Sequence, residues 1–551
     1  MPRLLLRPVN WQGQLVKVER EPISIGRHPD NTICLHDDKA SRYHCVIEPD
    51  TDGGYRLRDL GSRNGTRLNE AKVSDAALAQ GDLLRVGDHE FTVEITADAE
   101  AAAKDRRKKD AAAGIKGPVL PKGLPGEGDW AGELTRLIEQ LPPKDEREVT
   151  LQMIEASGKV SEALTGQTEG PWAVRLLLEL ASKARATDIH LEPKAELNQV
   201  RIRVDGQMVT VAEVPSRVSG LIGGLIKTAC QMQMASRDAV QEGHFSAKFS
   251  DRRVDYRVSF TPSVHGQKLV LRVLDQRYIP RALDELNLAG YMYERIKRTC
   301  DQDHGLLLVC GPTGSGKTTT LYNALRSIDR HARNVVTIED PVEYQLDNVT
   351  QIPTDEGRGN SFGALLRSVL RQDPDVILVG EIRDDETART AMQAAMTGHL
   401  VFSTVHAKDT ISSVFRLLDL KVEPYLVASS LDLVLAQRLV RLLCEHCKRP
   451  VPVAPGQATR IGRYLGGKTQ VYTGTGCARC LRTGYRGRRA IFELLDFNDD
   501  LRDIVLRDPS IQAMKKTIEQ GLFTTLTQSG WKLAAEGVTS LEEVDQVCGM
   551  T

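Results

Sequence analysis

Residues 311–320 read Gly-Pro-Thr-Gly-Ser-Gly-Lys-Thr-Thr-Thr, a pattern built to hold phosphate. Gly311, Gly314 and Gly316 let successive backbone N–H groups converge on phosphate oxygens, and Pro312, Thr313, Ser315 and Thr319 complete the loop. Lys317 can reach the β- and γ-phosphates, and the Thr318 hydroxyl suits Mg²⁺. The flanks agree with this reading. Residues 305–310 form a short apolar run that predicts a strand, and Leu321, Ala324, Leu325 and Ile328 recur at the spacing of one buried helix face. A strand, a glycine turn and a helix in that order bring the positive helix N-terminus to the anion. The expectation is a site for ATP with Mg²⁺.

Acidic residues follow at useful places. Residues 376–379 predict a buried strand lying beside the phosphate-loop strand in a parallel sheet, which delivers Glu381 to the edge where ligands bind in such folds. Gly380 stands where many phosphate-loop enzymes carry a Mg²⁺-binding aspartate, so Glu381 is the candidate to orient or deprotonate the attacking water. Glu339 and Asp340 directly follow the apolar run 335–338 and, with Glu343, can complete the metal and water shell. His399 and His406 lie at the two ends of a further apolar run; taken alone, such histidines are more often structural.

Cys444-Glu445-His446-Cys447 and Cys477-Ala478-Arg479-Cys480 are two Cys-x-x-Cys knuckles. Four thiolates at this spacing suit a closed, tetrahedral, structural Zn²⁺; thiol redox chemistry is the alternative.

The 551 residues exceed the capacity of one core and imply about three or four domains. A net charge of −1 gives no long-range attraction to nucleic acid or anionic lipid. No apolar run approaches the ~20 residues of a membrane span, and Leu4 to Leu6 are too few for a signal-peptide core, so a cytoplasmic protein is expected. Residues 97–129 are rich in Ala, Lys, Asp, Gly and Pro and read as a disordered linker, with a basic run from Lys104 to Lys109. Residues 130–169 read as a small helical segment.

Before the linker, residues 1–96 alternate apolar and polar positions between Gly, Asn and Asp turns, which predicts a β-sandwich. Its loops carry Gly26-Arg27, Ser41-Arg42-Tyr43-His44 and Gly61-Ser62-Arg63-Asn64-Gly65-Thr66, followed by Asn69. In that order they resemble the forkhead-associated (FHA) domain, which reads phosphothreonine. The resemblance implies that Arg27, Ser41 and Arg42 hold the phosphate and Asn64 the peptide main chain, a chemistry that guanidinium, hydroxyl and amide groups suit. His44 reads as a loop brace. A domain that has lost phosphopeptide binding and only docks is the alternative.

After the linker stand Ala186-Thr187-Asp188-Ile189-His190-Leu191-Glu192-Pro193, Val254-Asp255-Tyr256-Arg257-Val258-Ser259 and Val270-Leu271-Arg272-Val273. Beyond the phosphate loop come Thr337-Ile338-Glu339-Asp340-Pro341-Val342-Glu343, the stretch from Arg371 to Asp384, and Thr397-Gly398-His399 with Ser403-Thr404-Val405-His406. With the phosphate loop, these stretches resemble the type II secretion and type IV pilus assembly ATPases over residues 170–551. The resemblance implies an α/β N-terminal ATPase subdomain (170–275), a hinge (276–285) and a RecA-like α/β domain (286–551) with a zinc-binding insertion (444–480). It implies an aspartate box at 337–344, an atypical Walker B strand ending at Glu381, a histidine box with His399 and His406 sensing phosphate, and charge-neutralising Arg257 and Arg272. It also implies a homo-oligomer, hexameric by family pattern, and an inner-membrane platform protein as partner. Departures occur at His406-Ala407-Lys408, at Val240-Gln241-Glu242-Gly243-His244 and at Gly266-Gln267. A DNA-uptake motor and a phosphopeptide scaffold without turnover are the alternatives, though an aromatic share of 5% offers little for stacking bases.

Overall fold

The computed structural model describes residues 4–9, 16–18, 23–28, 31–35, 37–49, 55–95, 129–142, 151–164, 166, 168–236 and 238–549. The expected linker lies outside the described residues except for Asp129. The chain forms two compact units, Met1–Leu124 and Pro125–Thr551.

The first unit is a sandwich of a six-stranded and a five-stranded sheet. Alternation drives it: Ile23, Ile25, Tyr55 and Leu57 turn inward with Leu4, Leu6, Leu84, Phe91 and Val93, while the residues between them face out.

The second unit begins with a helix, Trp130–Gln140, capped by the Asp129 side chain, which accepts the Gly132 N–H. Among the described residues of the expected helical segment 130–169, helical turns recur at Glu162–Leu164. Gln152–Ile154 and Val160–Ser161 are strands, and Met153 pairs with Ala247 to extend the sheet of the following subdomain. Runs of three and two residues are too short to show a two-residue period, so the subdomain starts earlier than position 170. Its eight-stranded sheet carries Arg253–Ser263 and Gly266–Leu274 as neighbours, with Val254, Tyr256, Val258, Leu269 and Leu271 buried. Strict alternation places Arg257 and its cross-strand partner Arg272 on the opposite face.

A buried ionic cluster braces this sheet. The Glu192 carboxylate accepts from Arg201 at 2.7 and 2.8 Å and pairs with Lys268 at 3.0 Å. Burial pushes its carboxyl up, but the Arg201 and Lys268 hydrogen bonds outweigh this and bring it down to about 2. A lowered pKa means stabilisation that is present above the ordinary value of 4.5 and is lost as pH falls toward about 2. Glu192→Gln is expected to cost about 3 kcal/mol at neutral pH, with the gap to wild type closing through that acid window in urea titrations.

The remaining core is a seven-stranded sheet. It comprises β1 (Gly305–Cys310), β2 (Val335–Glu339), β3 (Thr350–Pro353), β4 (Val376–Val379), β5 (Leu400–Val405), β6 (Leu431–Leu443) and β7 (Tyr485–Asp496), in the spatial order β3-β2-β4-β5-β1-β6-β7. All neighbours are parallel except β6 and β7. The expectation that β4 lies beside β1 is corrected: β5 sits between them. Helix α1 (Lys317–Ser327) follows β1, and Asn323 on it donates to the Pro280 carbonyl of the hinge segment at 3.0 Å.

Candidate functional site

The phosphate loop joins β1 to α1. Gly316 caps α1 with φ of 89°, a left-handed conformation that glycine adopts without strain. Lys317 Nζ donates to the Gly311 and Pro312 carbonyls at 2.9 and 3.2 Å, which holds it over the loop. Burial lowers its pKa, while the negative charge of Glu381 opposes that shift. Ser315 Oγ is buried without a hydrogen-bond partner, and Thr318 is exposed at the helix start. An orphaned hydroxyl, an ammonium and a helix N-terminus together fit a phosphate chain. Gln437 on β6, which sequence patterns do not mark, buttresses the loop by accepting from Thr320 Oγ1 at 2.7 Å.

Glu381 leaves the end of β4 with its side chain 14% exposed. It pairs with Arg383 and lies 3.4 Å from His406 Nε2, at the end of β5. Gly380 is tightly enclosed: a Cβ there would stand 3.1 Å from the Ile338 carbonyl and 3.3 Å from Phe362. A side chain at this position would need the Ile338 carbonyl and the Phe362 ring to give by a few tenths of an ångström, which glycine avoids.

The acidic segment after β2 divides into two environments. Glu339 is buried and accepts from Thr337 Oγ1 at 2.6 Å, from Gln351 Nε2 at 3.0 Å and from the Tyr322 hydroxyl. This carboxylate is hydrogen-bonded inside the fold, so it braces the end of β2 beside the place expected of it in the metal and water shell. Asp340 is exposed, and Glu343 is half-buried. Arg257 reaches this segment from the preceding subdomain, donating to the Val342 carbonyl at 2.6 Å and to Glu343 at 3.4 Å. Arg272 instead pairs with Asp188 at 3.4 Å and keeps 61% of its side chain exposed.

His399 stands at the other end of β5 from His406. It precedes β5, its carbonyl accepts the Gly305 N–H at 3.2 Å, and its Nδ1 lies 3.1 Å from the Ala394 carbonyl. The first contact lies at the start of β1 and the second on the helix Asp385–Met396, so His399 is roughly 20 Å of strand away from the phosphate loop and His406. In this subunit His399 closes a helix end and does not join the site.

The four cysteines converge. Their sulfurs lie within 4.8 Å of one another, with Cys444–Cys477 at 3.9 Å, Cys447–Cys480 at 3.8 Å and Cys477–Cys480 at 3.7 Å. Tetrahedral Zn²⁺ with ~2.3 Å Zn–S bonds requires ~3.8 Å between sulfurs, so the cluster fits. Backbone N–H groups of Cys477 and Gly484 also point at Cys480 Sγ, at 3.2 and 3.3 Å. The adjoining Leu481 is buried in the core of the N-terminal ATPase subdomain. Removing a bound metal with a chelator, or Cys477→Ser, is expected to lower the thermal midpoint by about 10 °C in calorimetry.

In the N-terminal sandwich three loops meet. The Arg27 N–H donates to the Ser41 carbonyl at 3.0 Å, Ser41 Oγ accepts the Arg63 N–H at 2.9 Å, and Asn64 Nδ2 donates to the Lys39 carbonyl at 2.8 Å. Arg27, Arg42 and Asn64 are exposed, and Arg27 Nη1 lies 3.5 Å from Asp38. His44 is buried and its Nδ1 accepts the Ser41 N–H at 3.0 Å, the bracing role expected of it. Asp59, which motif reading passes over, shapes the third loop by accepting from Gly61, Ser62 and Thr66.

The chain is similar to known proteins in both of its parts. The family described as Type II/IV secretion system protein matches residues 171–546, and the FHA domain matches residues 23–87. The type II secretion system protein HxcR of Pseudomonas aeruginosa is 36% identical over 490 residues, covering 86% of this chain and 97% of that protein. The type IV pilus assembly ATPase PilB of Myxococcus xanthus is 40% identical over 380 residues, 67% of this chain and 66% of that protein. The ATPase DotB of Legionella pneumophila shares the fold, with a TM-score of 0.53 at 21% identity over 69% of this chain and 96% of its own. The chain therefore belongs to the Type II/IV secretion system protein family of ATPases and carries an FHA domain ahead of its ATPase region.

Proposed function

We propose that this protein is a hexameric, ring-forming ATPase of the cytoplasm, whose hydrolysis of Mg²⁺-bound ATP powers type IV pilus assembly or type II protein secretion. The observation that supports this most is the reach of Arg257 from one subdomain onto the acidic segment of the next, beside a phosphate loop whose Ser315 hydroxyl awaits a partner. The loop from Gly311 to Thr319 holds the phosphates, with Lys317 on the outer ones. Thr318 would hold Mg²⁺, with Asp340 and Glu343 of the acidic segment completing the metal and water shell. Bound Mg²⁺ would neutralise charge on the phosphates. Glu381 orients or deprotonates water, His406 holds Glu381, and Arg257 and Arg272 balance negative charge during transfer.

Closure of the two subdomains about residues 276–285 would carry the stroke to an inner-membrane platform protein. Among the described residues no helix is long and apolar enough to cross a membrane, so attachment through that partner is part of the proposal. The FHA domain would add recruitment by a phosphothreonine protein. Arg27→Ala is expected to weaken binding of a phosphothreonine peptide at least ~30-fold in fluorescence polarisation, the scale of a lost charge-assisted hydrogen-bond pair.

ATP turnover per subunit measured against protein concentration tests the main reading. Specific activity that rises with concentration supports a ring. Stimulation by DNA would favour the nucleic-acid motor, and ATP binding without turnover at any concentration would favour the scaffold.

A further inference from the structure

Gln351, on the edge strand β3, carries no motif, yet its side chain ties together three parts of the site. Its Nε2 protons are shared among Glu339 Oε1 at 3.0 Å, the Tyr322 hydroxyl at 3.2 Å and the Tyr344 carbonyl at 3.2 Å. Its Oε1 accepts the Leu346 N–H at 2.7 Å. Tyr322 belongs to α1, the helix that opens on Lys317. Its hydroxyl donates to Glu339, and its ring meets Tyr344 edge-on with centroids 4.7 Å apart. Arg326, four residues further along α1, places its guanidinium 5.4 Å from the centre of the Tyr344 ring.

Residues 340–346 are thus pinned at both ends. At one end stands Glu339, and at the other the Tyr344 carbonyl and Leu346 N–H are held by a single amide. Between those pins lie Asp340, Glu343 and the Val342 carbonyl on which Arg257 sits. A glutamine is suited to this post because it donates and accepts at once, whereas a carboxylate could not donate beside Glu339.

We propose that Gln351 is a positioning residue for ATP hydrolysis: with Tyr322 and Glu339 it fixes the 340–346 segment, so that docking of Arg257 is felt at the phosphate-loop helix. This inference rests on the ATPase reading above. Gln351 touches no reacting atom, and its effect passes through the geometry of Asp340, Glu343 and Arg257. Loss of the amide should therefore lower the rate of the chemical step and leave nucleotide affinity nearly untouched.

The test uses the full-length chain as wild type, Gln351→Leu, Tyr322→Phe, Arg257→Ala and the Arg257→Ala/Gln351→Leu double variant. Steady-state ATP turnover, equilibrium binding of a fluorescent ATP analogue and thermal midpoints are measured for each. Expected are a kcat lowered about 30-fold in Gln351→Leu and about tenfold in Tyr322→Phe, with KM and analogue affinity within about threefold of wild type. In the Arg257→Ala background, Gln351→Leu should cost less than about a further threefold, because the two act as one unit. Losses that multiply would overturn the proposal, as would wild-type kcat in both single variants. A Tyr322→Phe variant whose affinity and thermal midpoint fall together with kcat would overturn it too, since that is the signature of a packing role alone. If Gln351→Leu does not fold, Tyr322→Phe and its double variant with Arg257→Ala decide by the same criteria. No turnover in the wild type would overturn the ATPase reading and this inference together, whereas an active wild type with unaffected variants would overturn this inference alone.

Discussion

Glu381→Gln is expected to lower ATP turnover by about 10³-fold while nucleotide affinity stays within about threefold. The reasoning is geometric. Glu381 stands at the carboxyl end of β4 with most of its side chain enclosed, and contacts with Arg383 and His406 fix its direction. Its negative charge is also felt by Lys317 on the phosphate loop, so the two groups face one region of space. Glutamine keeps the shape and can still hydrogen-bond, but it has no basic oxygen to draw a proton from water or to hold that water by charge. Single-turnover hydrolysis, paired with binding of a fluorescent ATP analogue, checks the split. A variant that hydrolyses ATP within tenfold of wild type would remove Glu381 from the chemistry and leave it a partner of Arg383.

Arg257→Ala carries the second large effect, an expected fall of about 10³-fold in turnover with ATP still bound. In the N-terminal ATPase subdomain Arg257 faces away from the core by strand alternation, and it spends its donors on the Val342 carbonyl and Glu343 across the subdomain boundary. An arginine so placed can neutralise charge on a phosphoryl group only when the two subdomains are together, which ties hydrolysis to their closure. Arg257→Lys is expected to recover less than about a tenth of the activity, because an ammonium cannot span two acceptors as a planar fork does. Turnover of both variants against protein concentration checks this. Equal activity of Arg257→Lys and wild type would show that charge alone matters and that the fork geometry does not.

Some parts of the molecule were legible from residue order because their function is local. The phosphate loop needs only a strand, a glycine turn and a helix start, all within about twenty residues, and each appears where the pattern predicts it. The cysteine knuckles were legible from spacing, although they stand far apart in sequence, because each pair is itself a local turn and only one metal geometry suits four thiolates. The sandwich loops with Arg27, Ser41 and Asn64 were legible as well, since polar residues between alternating strands must lie at loop ends.

Other parts were hidden for physical reasons. Strands Gln152–Ile154 and Val160–Ser161 are too short to carry a period, and they exist because an edge of the subdomain sheet offers them partners. Strand order in a parallel sheet is not the order of the chain, so β5 could slip between β4 and β1 unannounced. His399 and His406 look like one motif because seven positions separate them, yet an extended strand carries them to its opposite ends. Glu339 and Asp340 are adjacent in sequence, but alternation at the end of β2 buries one carboxylate among donors and leaves the other in solvent.

Residue order alone therefore marked the groups with which this protein could do chemistry: a phosphate loop, a carboxylate proposed to activate water, four thiolates spaced to hold a metal and a loop set suited to phosphothreonine. Each is specified by neighbours within a turn or two, where covalent geometry leaves few choices. Tertiary structure decided which charges meet. Arg257 on Glu343, Arg272 on Asp188, and Gln351 holding Glu339 and the phosphate-loop helix together depend on the packing of elements distant in sequence, and the cost of burying an unpaired polar group selects among such pairings only once the core has formed.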